Sequence, residues 1–414
     1  MAEEKGLSKL NAILIVACAF WVNAMVMGPT KSTGVYFLPY QQNFKANAQQ
    51  ASLVSSLLYG FYFFAGPLAS ISCHLIGYKY TSILGSVLAS VSVAVSCLSQ
   101  TMDVLFVTMG ALFGLGSCLA MTPVYALLGQ IFTDKRPLVN NIVTIGSAVS
   151  GIPLSLTVQL WLDEYGLAGS MLLMGGVLLN SLPAILALMI MGEKTNVSMS
   201  AAKKKVFDFN ILKNSGFTFF CLASGLHVAS TVTLCSYLIR FAQSIGIGNY
   251  EAASLSSIMS AIDICLRPMT GYLTSLSHIG NFQINRFYVI IWSLILQSAV
   301  TLIFPFATNY AAMIAATIAF SICAGATGAL PITLLAELFG SENLATSLGL
   351  RSMFVGVFSF ATPPLVGMVV DATGSYVYPF YVSTALALLS SSMFYFVFRC
   401  CGITDDATSD IVTT

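Results

Sequence analysis

Apolar runs long enough to cross a bilayer fill most of the chain, and short polar breaks separate them. An α-helix needs about 20 consecutive apolar residues to span the hydrocarbon. The pattern predicts twelve such helices, over 12–38, 51–73, 81–99, 103–129, 137–161, 168–191, 215–244, 251–275, 286–307, 311–338, 344–370 and 377–399. The first is long enough to be tilted, or broken near Gly28-Pro29. The opening stretch MAEEKGLSK is followed by no small-residue cleavage site, so the first run reads as a retained helix rather than a signal peptide.

Composition narrows the class. Of 414 residues, 57% are hydrophobic and 8% charged, against about 25% charged in soluble domains. A cytosolic enzyme, a nucleic-acid binder and a disordered scaffold are excluded, and the lipid bilayer becomes the expected surroundings. The ten cysteines show no CxxC spacing and read as small core residues. The three histidines, His74, His227 and His278, are scattered. With no Ser/His/Asp set, metal-ligand cluster or phosphate loop, the sequence points to no enzyme and no cofactor.

Charge position sets the orientation. With both termini cytoplasmic, the inside collects Lys5, Lys9, Lys79, Lys135, Arg136, Lys194, Lys203, Lys204, Lys205, Lys213, Arg286, Arg351 and Arg399, and the outside keeps Lys45. This is the bias expected of cytoplasmic loops. The longest polar stretch, 192–214, divides the helices six and six. The reading is therefore a six-helix half over 1–191, a cytoplasmic central loop over 192–214, a second six-helix half over 215–399 and a cytoplasmic tail over 400–414. The halves echo one another: PVYALLGQIF at 123–132 resembles PITLLAELF at 331–339, each closing the fourth span of its half. Duplicated halves around a midplane cavity are the layout of rocking secondary transporters.

Three charged residues fall inside predicted spans, where the plainer readings are a snorkelling stem for Lys31 and a packing salt bridge for Asp263 with Arg267. Lys31 follows the Gly-Pro break, and Asp263 and Arg267 lie four residues apart in SAIDICLRPMTG, on one helical face. A charge at the bilayer centre costs about 2.5–3.5 kcal/mol on insertion scales, so such groups face a cavity or each other. Two cations and one carboxylate make a trap for a small anion, with Arg matching a carboxylate in bidentate geometry and Lys supplying a movable point charge. Pro268 weakens the local helix and would let Arg267 move. Arg240 reads as a snorkelling side chain near the outer interface. Lys135, Arg136, Glu337 and Arg351 fall at cytoplasmic helix ends and are candidate gating residues.

The charges also suggest coupling. The empty trio with Asp263 ionised carries a net single positive charge, as does the trio holding one monoanion with Asp263 protonated. An access switch tolerant of these two states alone would move an anion and a proton together.

On these residues the chain resembles the monocarboxylate transporters (solute carrier 16 type) of the major facilitator superfamily. Pro29, Lys31, Ser32, Gly34, Val35 and Phe37 fit the family's PKSxGVFF pattern. DKRPLVNNIVTIGSAVSG at 134–151 resembles its basic motif and glycine-rich helix, AIDICLRPMTG at 261–271 its Asp-x-x-x-Arg-Pro element, and TPPLVGMVVDATGSYVY at 362–378 its PPLxGxLxDxTGxYxY signature. The resemblance implies an all-α membrane protein with twelve transmembrane helices in two pseudo-symmetric halves. It also implies plasma-membrane symport of lactate- or pyruvate-like monocarboxylates with a proton, Lys31 engaging substrate and proton, and Asp263 with Arg267 as the acid-base pair. Some relatives need a single-span accessory glycoprotein. The acidic, Trp-rich segment usual before the first motif is missing from SKLNAILIV. Proton-independent facilitation of aromatic amino acids or other carboxylate-bearing zwitterions is the alternative. A receptor or sensor that kept the fold is disfavoured, because a retired cavity has no need of buried ions.

Overall fold

The computed structural model describes residues 9–132, 136–193, 209–275, 278–279, 282–283, 286–339 and 344–400. Helices α1 (Lys9–Lys31), α2 (Phe37–Phe44), α3 (Ala48–Phe64), α4 (Gly66–Val95), α5 (Met102–Leu105), α6 (Phe113–Ile131), α7 (Arg136–Leu179) and α8 (Ser181–Glu193) come first. Helices α9 (Ser215–Ser244), α10 (Asn249–Ser275), α11 (Arg286–Ile303), α12 (Tyr310–Phe339), α13 (Leu344–Thr373) and α14 (Tyr378–Cys400) follow. A short antiparallel hairpin, His278–Ile279 with Phe282–Gln283, joins α10 to α11. Apart from short turns, the described residues are otherwise helical. Long unbroken apolar runs favour helices in lipid, where a helix satisfies its backbone polar groups within the segment.

Eight helical segments among the described residues are long and apolar enough to cross a membrane. Helix α10 is not one of them, since Glu251, Asp263, Arg267 and several serines lower its hydropathy. Local breaks follow the glycines: Gly77 in α4 and Gly166 in α7 have φ of 82° and 65°, which side chains other than glycine rarely tolerate. A π-helical stretch, Phe106–Leu112, links α5 to α6 without a gap.

The break expected near Gly28-Pro29 falls slightly later. Helix α1 runs through Pro29 to Lys31, and the chain then tightens into a 3₁₀ turn, Thr33–Tyr36. The Ser32 amide and hydroxyl both donate to the Pro29 carbonyl, replacing the longer α-helical bond by an i to i+3 bond. Pro268 likewise does not interrupt α10, which continues to Ser275.

The hydrophobic core is divided unevenly along the helices. Where α1 gives way to α2, where α3 and α10 begin and where α9 and α13 end, one continuous cluster includes Tyr36, Phe37, Val54, Leu58, Met109, Leu234, Tyr237, Leu255, Val366 and Phe380. At the other end the core is split into a small cluster, Ala65, Ala69, Cys118 and Leu119, and two larger ones. One, from α1, α4, α6, α7 and α8, contains Ile15, Val22, Val124, Leu127 and Ile185; the other, from α9, α11, α12, α13 and α14, contains Phe217, Phe220, Ile290, Leu334 and Phe394.

Candidate functional site

Lys31 ends α1, and the 3₁₀ turn after it packs against α9, where a side chain on Gly34 would meet the Cys235 carbonyl at 3.0 Å. The glycine of this motif is thus a close-approach residue. Helix α10 supplies Asp263 and Arg267. The Lys31 carbonyl accepts a 2.9 Å hydrogen bond from the Ser256 hydroxyl of α10, and the Ile152 carbonyl of α7 accepts one of 2.7 Å from Ser257. Gly151 lets these elements converge, because a side chain there would run into Ser260 Oγ at 2.6 Å and the Lys31 stem at 3.4 Å.

The result is a three-residue charge cluster. Lys31 Nζ lies 3.4 Å from Asp263 Oδ2, and Arg267 Nη2 lies 3.0 Å from the same oxygen. The Asp263 side chain is 14% exposed, and those of Lys31 and Arg267 are 32% and 31% exposed. The carboxylate is therefore enclosed, while both cations keep surface on which an anion can settle. Cys235 feels the charges of Lys31 and Asp263. Tyr125 of α6 feels that of Arg267, and its hydroxyl accepts a 2.9 Å bond from Asn23, whose side-chain carbonyl accepts the Ser147 amide. Sequence reasoning missed Tyr125, Asn23 and Ser256. Their only signal was polarity inside apolar runs, which many serines and tyrosines of this chain share.

The remaining candidates are dispersed. Lys135 lies outside the described residues. Arg136 opens α7 and Glu337 lies within α12. Arg351 is not at a helix end: it sits two turns inside α13, with its Nε buried. Arg240 is not a solitary snorkeller. Its Nε donates to Gln41 Oε1 at 2.9 Å and its guanidinium lies 4.8 Å from the Tyr376 ring centre, while Gln41 Nε2 donates to the Tyr376 hydroxyl at 3.0 Å.

That contact belongs to a clasp at the single-core end. The backbone N–H groups of Ala48 and Gln49, at the start of α3, donate to the two oxygens of Asp371 at 2.7 and 2.9 Å. Asn47 and Gln50 complete a capping box. A carboxylate at a helix N-terminus also complements the helix dipole. Beyond the membrane-spanning part, Tyr250 of α10 hydrogen-bonds Asp163 of α7, which pushes the phenol above its usual range. Asp371, Gly374 (φ 70°) and Tyr376 all come from the 362–378 signature. That motif therefore builds the clasp and does not touch the charge cluster.

An all-helical chain with eight membrane-length apolar segments and a cation–acid–cation cluster enclosed around Asp263 is a membrane protein with a site suited to a small anion. The Major Facilitator Superfamily model matches residues 12–287 and 280–400, and the chain belongs to that superfamily. Within it the chain is similar to Monocarboxylate transporter 4 of Mus musculus, 26% identical over 87% of this chain and 77% of the relative. It is also similar to Monocarboxylate transporter 2 of Mus musculus, at 24% over 91% and 82%, and to Monocarboxylate transporter 12-B of Danio rerio, at 27% over 92% and 86%.

Proposed function

We propose that this protein carries small monocarboxylates, lactate- or pyruvate-like, together with a proton by alternating access. The observation that carries the reading is the convergence of Lys31 and Arg267 on one oxygen of Asp263. An incoming carboxylate competes with Asp263 for the guanidinium fork, which suits bidentate recognition. Once Arg267 turns to the substrate, Asp263 has lost a counter-charge in a poorly hydrated site, and taking up a proton becomes the cheaper state. The loaded and empty sites then carry the same net charge, so the switch between access states moves no net charge across the membrane.

We read the chain as twelve helices in two halves, 1–191 and 215–399 around the 192–214 loop, the layout that alternating access uses. The apolar segment Val139–Gly192 has 54 residues. At 1.5 Å per residue it would extend about 80 Å, more than twice the hydrocarbon thickness, so the turn at Gly166 divides it into two spans. We read the end with the split core as cytoplasmic, with both termini on that side, because Lys9, Arg136, Lys213, Arg286 and Arg399 stand at helix ends there. The conformation is then inward-facing, closed outside by the Asp371, Tyr376 and Arg240 contacts, and Lys135, Arg136 and Glu337 stay candidate gating residues on sequence grounds. The plasma membrane is the site of action, and a single-span accessory glycoprotein is the expected partner for delivery.

Uptake of radiolabelled lactate, pyruvate and amino acids into vesicles, with and without an inward proton gradient, tests this. Lactate or pyruvate uptake stimulated by the gradient supports the reading. Amino-acid uptake indifferent to pH would replace it with the proton-independent facilitator.

A further inference from the structure

Arg351 is a charge the scheme above leaves without a task. It lies in α13 next to Leu350, and its charge reaches Cys221 of α9; both neighbours belong to the core of the second half. A guanidinium keeps its charge in any protein environment, so it must be solvated or matched by an anion. Among the described residues Arg351 has no ion-pair partner, and its Nε–H is buried without an acceptor.

Its neighbours share that condition. Ser347, one turn earlier on the same face of α13, is fully buried with an unpartnered hydroxyl. Phe354 and Phe358, one and two turns later, close on Gly225 of α9 and fix this face of α13 against α9. The Arg351 charge acts on both Cys221 and His227 of α9. Between these two lies Ser224, fully buried with an unpartnered hydroxyl, and His227, 6% exposed, has an unpartnered Nδ1. Buried polar atoms are ordinarily paired. With the Nε–H of the guanidinium itself, these are four unpartnered polar groups on two facing helices, a set that one hydrogen-bonding ligand would satisfy. Arg351 as a whole is only half-buried, so part of its side chain stays open to an arriving group.

We propose that Arg351, with Ser347, Ser224 and His227, forms a second anion-binding subsite that takes a carboxylate. A carboxylate docks on the Nε edge of the fork and accepts from the flanking hydroxyls. The inference rests on the reading of the chain as a carboxylate carrier and extends it. The carboxylate belongs either to the far end of a dianion held at the trio by its other end, or to a second monocarboxylate.

Binding measured calorimetrically on the full chain in lipid nanodiscs distinguishes these, using propionate and the straight-chain dicarboxylates from malonate to adipate on the wild type and on Arg351→Gln. A preferred dicarboxylate length in the wild type, weakened by about tenfold in Arg351→Gln as expected for one charge-assisted contact, supports the single-ligand form. Propionate stoichiometry falling from two to one in the variant supports the two-ligand form. Arg351→Lys, which keeps the charge and loses the fork, guards against misfolding and should bind with intermediate affinity. Neither a length preference nor a stoichiometry that differs between wild type and variants would overturn the subsite. In that event persisting single-site propionate binding leaves the trio reading standing, whereas loss of all carboxylate binding in the wild type would remove both.

Discussion

Lys31 and Asp263 meet in a 3.4 Å ion pair that joins the end of α1 to the middle of α10, residues 232 apart in the chain. Arg267 donates to the same carboxylate oxygen. Replacing Lys31 by Gln keeps the stem and removes one cation from the anion trap. Initial-rate uptake should then show an apparent KM raised by about tenfold or more. An unchanged KM would place the amine outside the substrate path.

Arg267→Lys separates charge from geometry. The ammonium keeps the net charge of the cluster but cannot present two parallel donors. Carboxylate affinity should fall by about tenfold, while the protein accumulates in the membrane normally. Uptake with wild-type affinity would show that the site reads charge alone.

Gly151 is the packing point of the site, in contact range of both Ser260 and the Lys31 stem. A Leu there must push α7 away from α10 and α1. Transport should be lost with correct surface delivery, and a crosslink between cysteines placed at positions 31 and 263 should fall in yield. Wild-type transport by Gly151→Leu would mean that the helices do not need this approach.

The clasp contributes to the balance between access states. Asp371→Asn removes the charged acceptor at the start of α3, a loss of about 1 kcal/mol for a cap of this kind. Tyr376→Phe removes the hydroxyl shared with Gln41. Either change should shift the population toward the outward-open state, seen as faster labelling of a cysteine introduced at Ser55 by a membrane-impermeant reagent added outside. No change in labelling would make these contacts incidental to gating.

Much of this arrangement was legible in the residues because the bilayer permits so few solutions. Helix existence and the isolation of Lys31, Asp263 and Arg267 follow from the cost of charge in lipid, which any single sequence displays. The i, i+4 spacing put Asp263 beside Arg267 directly. What pairwise spacing cannot encode is long-range partnership. Asp371 reads as an ordinary acidic residue at a helix end until the start of α3 is seen against it. Arg240 reads as a snorkeller until Gln41 and Tyr376 come within reach. The break after Lys31, rather than at Gly28-Pro29, depended on Ser32 capturing the Pro29 carbonyl, a choice made by packing of Gly34 on α9. Arg351 reads as a helix-end topology signal although the predicted span already begins at 344, because spacing alone does not show that its Nε is buried.

The most direct measurement records substrate and proton entry together, in proteoliposomes loaded with a pH-sensitive dye and supplied with labelled lactate, with a potassium–valinomycin clamp to vary the membrane potential. The account expects one proton to enter with each lactate in the wild type, at a rate insensitive to potential. In Asp263→Asn, acidification should be abolished while the protein remains folded in the bilayer. Stoichiometric acidification by Asp263→Asn, or lactate entry that carries net charge in the wild type, would contradict it.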